Sequence, residues 1–305
     1  MSEISKDKFQ VIGINKDEFN QMNRPNITYW QDSWRRLKKN KVAMASLILL
    51  ILITLMTVIG PYLTPHKYWV TDSNSVNMAP NSNHWFGTDS LGRDLFSRVW
   101  KGGRVSIIIG ILGTIIEITI GVIYGGISGY FGGIVDDAMM RIVEILLSVP
   151  YLIVVIIISL ILGKGVISLI IAMTITGWCG MARIVRGQVL QIREQEYVLA
   201  AKALGAKPSR IIKKHLLPNI MGILIVNITL DVPSFIFGEA FLSFIGLGIQ
   251  SPNTSWGSLA ATAQPNLMFY AYQLFFPALF ISLTMLSFNL LGDGLRDALD
   301  PKMRQ

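Results

Sequence analysis

Three carboxylates stand inside or beside apolar stretches of this 305-residue sequence: Glu117, Asp231 and Glu239. An ionisable side chain at membrane depth is energetically expensive and tends to face a bundle interior or an aqueous path. At about 100° per residue, Asp231 and Glu239 lie about 80° apart around an ideal helix, so they can share one broad face. The three residues therefore either line an aqueous path, or they pair inside a bundle or stay protonated.

The sequence matches no catalytic or metal-binding pattern. It contains no Gly-x-x-x-x-Gly-Lys-Ser/Thr phosphate loop, no His-Glu-x-x-His helix and no Gly-x-Ser-x-Gly turn. The single cysteine, Cys179, excludes a disulfide within the chain and a multi-cysteine zinc site. The histidines His66, His84 and His215 are too scattered for one metal site. We expect no catalytic residue, no metal and no ATP hydrolysis in this chain.

A polar, basic island at residues 196–218 carries the clearest local pattern. Its first half is rich in helix formers, and Gly205 follows where a left-handed helix stop would lie. Pro208 suits the first turn of a second short helix, which we predict to end at Leu217-Pro218. Taken alone, this pattern also resembles a DNA-binding helix-turn-helix. A loop between two apolar stretches of membrane-spanning length cannot readily present a recognition helix, so we expect no nucleic-acid partner.

The composition places these residues in a membrane protein. The chain is 51% hydrophobic and only 15% charged, with a mean hydropathy of +0.49, whereas a soluble domain carries about 25% charge. Long apolar runs account for the difference, and most approach the ~20 residues needed to cross the hydrocarbon. We predict an all-α polytopic membrane protein with six transmembrane helices, over residues 42–59, 105–124, 145–162, 166–182, 220–237 and 273–292.

The basic residues predict the orientation of the six spans. With the N-terminus inside, inner segments hold 21 of the 27 lysines and arginines, and outer segments hold six. This bias matches the excess of Lys and Arg on the cytoplasmic side and accounts for the formal net charge of +8. Both termini and residues 183–219 are thus predicted to be cytoplasmic.

The sequence before the first span predicts a tail and an interfacial helix. Residues 1–25 are polar and aperiodic and do not form a signal peptide. Basic residues then interleave with apolar and aromatic ones, which is typical of a helix at the membrane surface. The apolar and aromatic positions, at helical spacing, are Ile27, Trp30, Trp34 and Leu37.

A short helix is also predicted on the outer surface, after the first span. Thr88 or Asp89 can cap it. Its apolar stripe is formed by Leu91, Leu95 and Val99, and the neighbouring charges favour a helix lying flat.

The second span contains two overlapping small-xxx-small pairs, made by Gly121, Gly125 and Gly129. Such pairs let another helix approach closely. We expect packing within this chain or against a partner, and a hinge is the alternative.

A charged group precedes the third span. The i to i+4 spacing of Asp137 and Arg141 permits an ion pair. Asp136 and Glu144 stand nearby, and we interpret the group as a salt bridge rather than as an acid/base site.

The basic island carries a family resemblance. The run Leu199-Ala-Ala, followed by Gly205 and Leu217-Pro218, resembles the cytoplasmic "EAA" loop of ABC-importer permease subunits. That loop is the coupling helix, which docks on a separate ATPase. Leu199 stands where the family often has Glu, and His215 where its general pattern has Ile.

Three further runs resemble the C-type permease subunit of the oligopeptide/dipeptide (peptide/nickel) permease family. They extend from Gly87 to Arg98, from Ser251 to Gly257 and from Phe288 to Pro301. The resemblance implies the type I importer permease fold. Its divisions here are residues 1–41 (tail and interfacial helix), 42–60 (first span), 61–104 (outer segment), 105–295 (five-helix core with loop 183–219) and 296–305 (C-terminal tail).

The resemblance also implies partners and a location. A homologous second permease subunit, two ABC ATPase subunits and an extracytoplasmic solute-binding protein would join this chain in a bacterial or archaeal cytoplasmic membrane. ATP and Mg²⁺ would bind only to the ATPase subunits, so this chain would need no cofactor. The chain would form half of a translocation pathway for peptides.

Residues 196–217 would act as a lever on the ATPase. We expect Leu199, Leu204, Ile211 and Ile212 to be buried at that interface, and we expect Gly205→Asp to abolish transport. We also hypothesise that some of the three carboxylates line the path and tolerate the ammonium end of a peptide. The predicted ATPase-coupling residues are Glu196, Leu199, Ala200, Ala201, Ala203, Leu204, Gly205, Arg210, Ile211 and Pro218.

Several alternatives remain open at this point. Import of nickel or another solute fits the same family motifs. A fifth span broken by Asp231 and Pro233, together with buried carboxylates, would also suit a channel or an ion-driven secondary transporter. A structural or sensory subunit is a further alternative. The outer loop 246–272 either contacts a binding protein or folds back into the mouth of the pore.

Overall fold

The computed structural model describes residues 28–300, and every regular element in that range is helical. This confirms the all-α prediction. The tail at 1–25, Ile27 and residues 301–305 lie outside the described range. The α-helices are α1 Tyr29–Lys39, α2 Lys41–Ile59, α3 Leu95–Phe131, α4 Gly133–Ser148, α5 Tyr151–Leu162, α6 Val166–Arg193, α7 Glu196–Ala203, α8 Pro208–Ile211, α9 Leu217–Phe244, α10 Trp256–Ala263 and α11 Ala271–Leu299.

Five helical stretches are long and apolar enough to cross a membrane: α2, α3, α6, α8 joined to α9, and α11. A sixth crossing requires α4 and α5 together, and this pair is bent by 81°. The predicted span 145–162 is therefore not one straight helix. Val149 is extended, with ψ of 130°, because the following Pro150 disfavours the helical conformation of its predecessor and lacks an N–H.

The helix predicted before the first span forms as α1. Trp30 and Trp34 are half-exposed, and Leu37 is buried, so the helix has one exposed, aromatic side and one buried side. The Tyr29 hydroxyl donates a hydrogen bond of 2.9 Å to the Leu299 carbonyl, which fastens α1 to the end of α11.

The second span is longer than its apolar run. α3 extends for 37 residues, Leu95–Phe131, and the predicted surface helix capped by Thr88 or Asp89 does not form. Instead, the Asp94 side chain caps α3 by accepting a hydrogen bond of 2.8 Å from the Ser97 N–H. The outer segment thus leads directly into the bundle.

Glycines set the distance between α3 and α6. A Cβ at Gly121 would lie 2.6 Å from the Met181 Cβ, and one at Gly125 would overlap the Ala182 carbonyl. Gly129 likewise faces the backbone of α6. The predicted packing role is confirmed within this chain, and α3 runs unbroken through these glycines.

The fifth span is not interrupted. α9 continues through Asp231 and Pro233 to Phe244, so the predicted break is wrong. Pro233 is buried, and prolines are tolerated in membrane helices where neighbouring groups satisfy the freed backbone carbonyl.

The outer loop folds back into the bundle. Trp256, at the start of α10, is fully buried, and its indole Nε1 donates a hydrogen bond of 2.9 Å to the Val99 carbonyl. Met268 and Phe269, further along the loop, are 92% and 83% exposed. The middle of the loop therefore packs at the same end of the bundle as the start of α3, while its later part is exposed.

Candidate functional site

The hairpin, residues 196–216, lies between α6 and α9. The Ala206 N–H donates to the Ala201 carbonyl at 3.1 Å, and the Gly205 N–H donates to the Lys202 carbonyl at 3.0 Å. These are the two hydrogen bonds of a Schellman helix stop. Gly205 has a φ of +77°, which costs other L-residues ~1–2 kcal/mol. The predicted stop at Gly205 is confirmed.

The tip of the hairpin presents apolar side chains away from the chain. Leu204 is 88% exposed and Leu199 is 46% exposed, which leaves both available to a partner protein. Ala201 is half-buried. The other exposed members of the predicted coupling set are Glu196, Ala200, Ala203, Gly205, Arg210 and Pro218.

Ile211 departs from the prediction. Its side chain is fully buried inside this chain, in a cluster with Val198, Val189 and Ile220, so it is not available to an ATPase. Val198, which the predicted set lacks, is 3% exposed and anchors α7 in the same way. The face of the hairpin that carries Val198 and Ile211 is therefore packed against α6 and α9, and the opposite face is exposed.

The second half of the hairpin is continuous with the fifth span. Residues Ile212–Leu216 form a π-helical turn that joins α8 to α9, so the predicted helix does not end at Leu217-Pro218. Pro218 is the second residue of α9 and follows the π-helical turn directly. The hairpin is therefore joined to α9 by helical backbone and not by a loop.

An open cavity of about 460 Å³ brings two of the predicted pathway carboxylates together. Glu117, from α3, and Asp231, from α9, both line it. A Cβ added at Gly177, on α6, would stand 3.3 Å from the Glu117 Oε2, so this glycine makes room for the carboxylate. The rest of the lining is largely aromatic and apolar, and includes Tyr151, Met173, Phe235, Phe237 and Phe241.

Glu239 does not line this cavity; of the two alternatives left open for the three carboxylates, it follows the one in which the acid has partners inside the bundle. It is fully buried. Its carboxylate accepts hydrogen bonds from the hydroxyls of Ser106 (2.8 Å), Ser243 (2.7 Å) and Ser255 (2.6 Å). These serines lie on α3, on α9 and at the cap of α10, so Glu239 fastens three elements together.

The charged group before the third span has different partners from those predicted. Arg186 donates two hydrogen bonds of 2.6 Å to the Asp136 carboxylate, a bidentate geometry that joins α6 to α4. Arg141 pairs with Glu144 at 3.0 Å instead of with Asp137. The group is a structural salt bridge, as expected, but Asp136 is its buried acid.

The outer segment satisfies its own charges. Asp89 accepts a hydrogen bond of 2.7 Å from Arg93 Nε and lies 3.4 Å from Arg98 Nε. The Ser75 hydroxyl and a backbone N–H donate to Asp72 and hold the pKa of this carboxyl below its usual range. These contacts order the connection between α2 and α3.

The histidines of the outer segment meet each other. The rings of His66 and His84 lie 4.4 Å apart, and His84 Nδ1 lies 2.9 Å from Asp94 Oδ1. Among residues 28–300, no group of three or more His, Cys, Asp and Glu side chains is placed to hold a metal ion.

Two protein-family models match this chain. Residues 85–305 match the model of the family described as binding-protein-dependent transport system inner membrane component. Residues 28–80 match the N-terminal TM domain of oligopeptide transport permease C.

Curated relatives match over most of their length. The chain is 54% identical over 301 residues to the dipeptide transport system permease protein DppC of Bacillus subtilis strain 168, which covers 98% of this chain and 94% of that protein. It is 49% identical over 305 residues to the oligopeptide transport system permease protein OppC of the same strain, with full coverage of both. It is 44% identical over 277 residues to OppC of Escherichia coli K12, covering 90% and 92%.

A solved structure has a similar fold. It is the MetNI methionine ABC transporter in an inward-facing conformation, matched with a TM-score of 0.54 and 21% identity over 68% of this chain and 96% of that chain. At this identity the likeness concerns the fold.

Proposed function

Because the chain belongs to the family of binding-protein-dependent transport system inner membrane components, we propose that it is the permease subunit of an ATP-driven importer of dipeptides or oligopeptides. One observation carries the peptide assignment. Two relatives that are 54% and 49% identical over nearly the whole chain are named as dipeptide and oligopeptide permease proteins.

The partners in this proposal are a homologous second permease subunit, two ABC ATPase subunits and an extracytoplasmic binding protein. ATP and Mg²⁺ bind to the ATPase subunits. The exposed tip of the hairpin supports the ATPase contact, since Leu204 is 88% exposed on an element otherwise anchored to the bundle. The second permease subunit completes the translocation pathway.

The hairpin couples the two activities. When ATP binding closes the ATPase pair, the docked tip moves with it. Val198 and Ile211 hold the hairpin to the bundle, and the π-helical turn carries the movement into α9. α9 bears Asp231 and several residues of the cavity, so this movement changes the shape of the proposed pathway. This is alternating access, in which the cavity opens to one side of the membrane at a time.

The orientation belongs to the same proposal. The chain lies in the cytoplasmic membrane with both termini and the hairpin inside, which the distribution of Lys and Arg supports. A reporter fused after Lys214 is expected to be active in the cytoplasm. Activity only outside the cell would contradict this topology.

Transport by the assembled complex tests the proposal. We expect the complex of two permease subunits and two ATPases, reconstituted in proteoliposomes with its binding protein, to take up a labelled peptide only with ATP and Mg²⁺. Gly205→Asp is expected to abolish this uptake while leaving membrane insertion intact, with Gly126→Ala as a control away from the hairpin. Uptake that persists without the ATPases would instead favour a channel or an ion-driven transporter.

A further inference from the structure

Glu117 and Asp231 are half-buried, and they differ from the buried carboxylates of the described chain. Within residues 28–300, neither has a salt-bridge or hydrogen-bond partner of opposite charge. Buried carboxylates in proteins are normally paired or hydrogen-bonded. Those that follow this rule here are Asp89, Asp94, Asp136 and Glu239.

Both carboxylates face the same cavity. They come from α3 and α9 and line one space of about 460 Å³. Two like charges in a partly desolvated site repel each other, and a cation between them would relieve that repulsion.

The lining indicates which kind of cation fits. A calcium ion takes six to eight oxygen ligands, and magnesium demands an octahedral set. Beyond the two carboxylates, the cavity adds only the hydroxyls of Tyr151 and Ser234 among mainly aromatic and apolar groups. Aromatic faces attract organic cations, and an apolar wall suits the carbon atoms that accompany an ammonium group.

We propose that Glu117 and Asp231 form a site that takes an ammonium group of a peptide as it passes through the cavity. This inference rests on the proposed peptide import. The neighbouring rings of Tyr151, Phe235 and Phe241 contact the cation and the carbon atoms beside it. Glu239 has no part in the site because its oxygens are bound to three serines.

The test uses two peptides that differ in one side chain, lysine or glutamate, and so in net charge. ATP-driven uptake of Ala-Lys-Ala and Ala-Glu-Ala is measured in proteoliposomes containing the complete importer, with saturating peptide-loaded binding protein so that capture does not limit the rate. We expect the wild type to transport the lysine peptide with the higher kcat. In the double variant Glu117→Gln, Asp231→Asn the ratio of the two kcat values is expected to fall about tenfold.

Matched variants separate this effect from general damage. Ser234→Ala changes the same cavity without a charge, and Glu144→Gln neutralises an exposed carboxylate elsewhere; both are expected to keep the wild-type ratio. If the double variant does not assemble, each single variant is expected to lower the ratio about threefold.

Two negative outcomes are distinguishable. Uptake of both peptides with an unchanged ratio in the carboxamide variants overturns the ammonium site but leaves peptide import intact. Absence of ATP-dependent uptake of either peptide by the wild type overturns the proposed function itself.

Discussion

At the residue scale, Glu239 shows how a membrane protein keeps a fully buried carboxylate. Three serine hydroxyls donate to it: Ser243 lies on the same helix, while Ser106 and Ser255 belong to other elements. The Ser106 hydroxyl also accepts a hydrogen bond of 3.2 Å from the Trp256 N–H. The acid therefore holds the folded-back outer loop onto the bundle.

Removing this acid tests its fastening role. Glu239→Ala is expected to destabilise the protein by about 3–5 kcal/mol, because three buried hydroxyls lose their acceptor. Glu239→Gln keeps an acceptor and the side-chain shape, so its loss is expected to be smaller, about 1–2 kcal/mol. Thermal unfolding of the purified protein in detergent measures both. Glu144→Ala, at an exposed acid, is the control, and an equal loss in Glu239→Ala and in the control would remove the role assigned to Glu239.

The three carboxylates in apolar runs show what sequence alone can and cannot predict at this scale. An ionisable residue in an apolar run is visible in the sequence, so Glu117, Asp231 and Glu239 were all found. Their surroundings differ, since Glu239 is hydrogen-bonded to three serines whereas Glu117 and Asp231 line a cavity. Ser106 lies 133 residues from Glu239, and no local pattern predicts that contact.

At the element scale, α3 and α6 approach closely because α3 has glycine at the positions that face backbone atoms of α6. At Gly125 the obstacle is the Ala182 carbonyl group, which cannot rotate away as a side chain can. Gly126, one residue on, has no atom within 4 Å of an added Cβ. A side chain is therefore sterically excluded at Gly125 and accommodated at Gly126, so the two positions can be compared directly.

Substitution at these positions is expected to have opposite effects. Gly125→Ala should destabilise the protein by about 1–3 kcal/mol because the helices must separate. Gly126→Ala should be neutral or stabilising by up to about 1 kcal/mol, since alanine has the higher helix propensity. Melting temperatures in detergent compare them. Equal melting temperatures would show that the α3–α6 contact does not depend on this close approach.

The hairpin depends on backbone conformation rather than on space at Gly205. An added Cβ would meet no atom within 4 Å, but φ is +77°. Transport is therefore expected to fall most with Gly205→Val and least with Gly205→Asn, because asparagine enters the left-handed region far more readily than a β-branched residue. Peptide uptake in proteoliposomes checks this order. Equal activity of the two variants would mean that the helix stop is not required.

At the scale of the whole molecule, apolar length predicted the membrane architecture but not its ends. Crossing the hydrocarbon requires apolar length, so five of the six spans were found as continuous helices. α3 begins ten residues before its apolar run because Arg98 and Arg104 find carbonyl partners, at Tyr68 and Thr57, in the segment before it. Such long-range partners are not visible in the sequence.

The two prolines within predicted spans have opposite effects on the helix. Pro150 breaks the third span, whereas Pro233 leaves the fifth intact. The backbone rule for proline is the same at both positions, and tertiary packing decides the outcome. Gly205, by contrast, was predicted correctly because its helix stop involves only neighbouring residues.

Site-directed cross-linking tests whether the hairpin of this chain docks on a separate ATPase. In a Cys179→Ala background, a cysteine at position 204 is joined by a short bifunctional reagent within the assembled complex, with Lys164→Cys, on the outer turn, as control. We expect position 204 to cross-link to the ATPase with a yield that changes on ATP binding, and position 164 to give no such product. An ATPase cross-link from position 164 and none from position 204 would show that the hairpin does not dock on the ATPase.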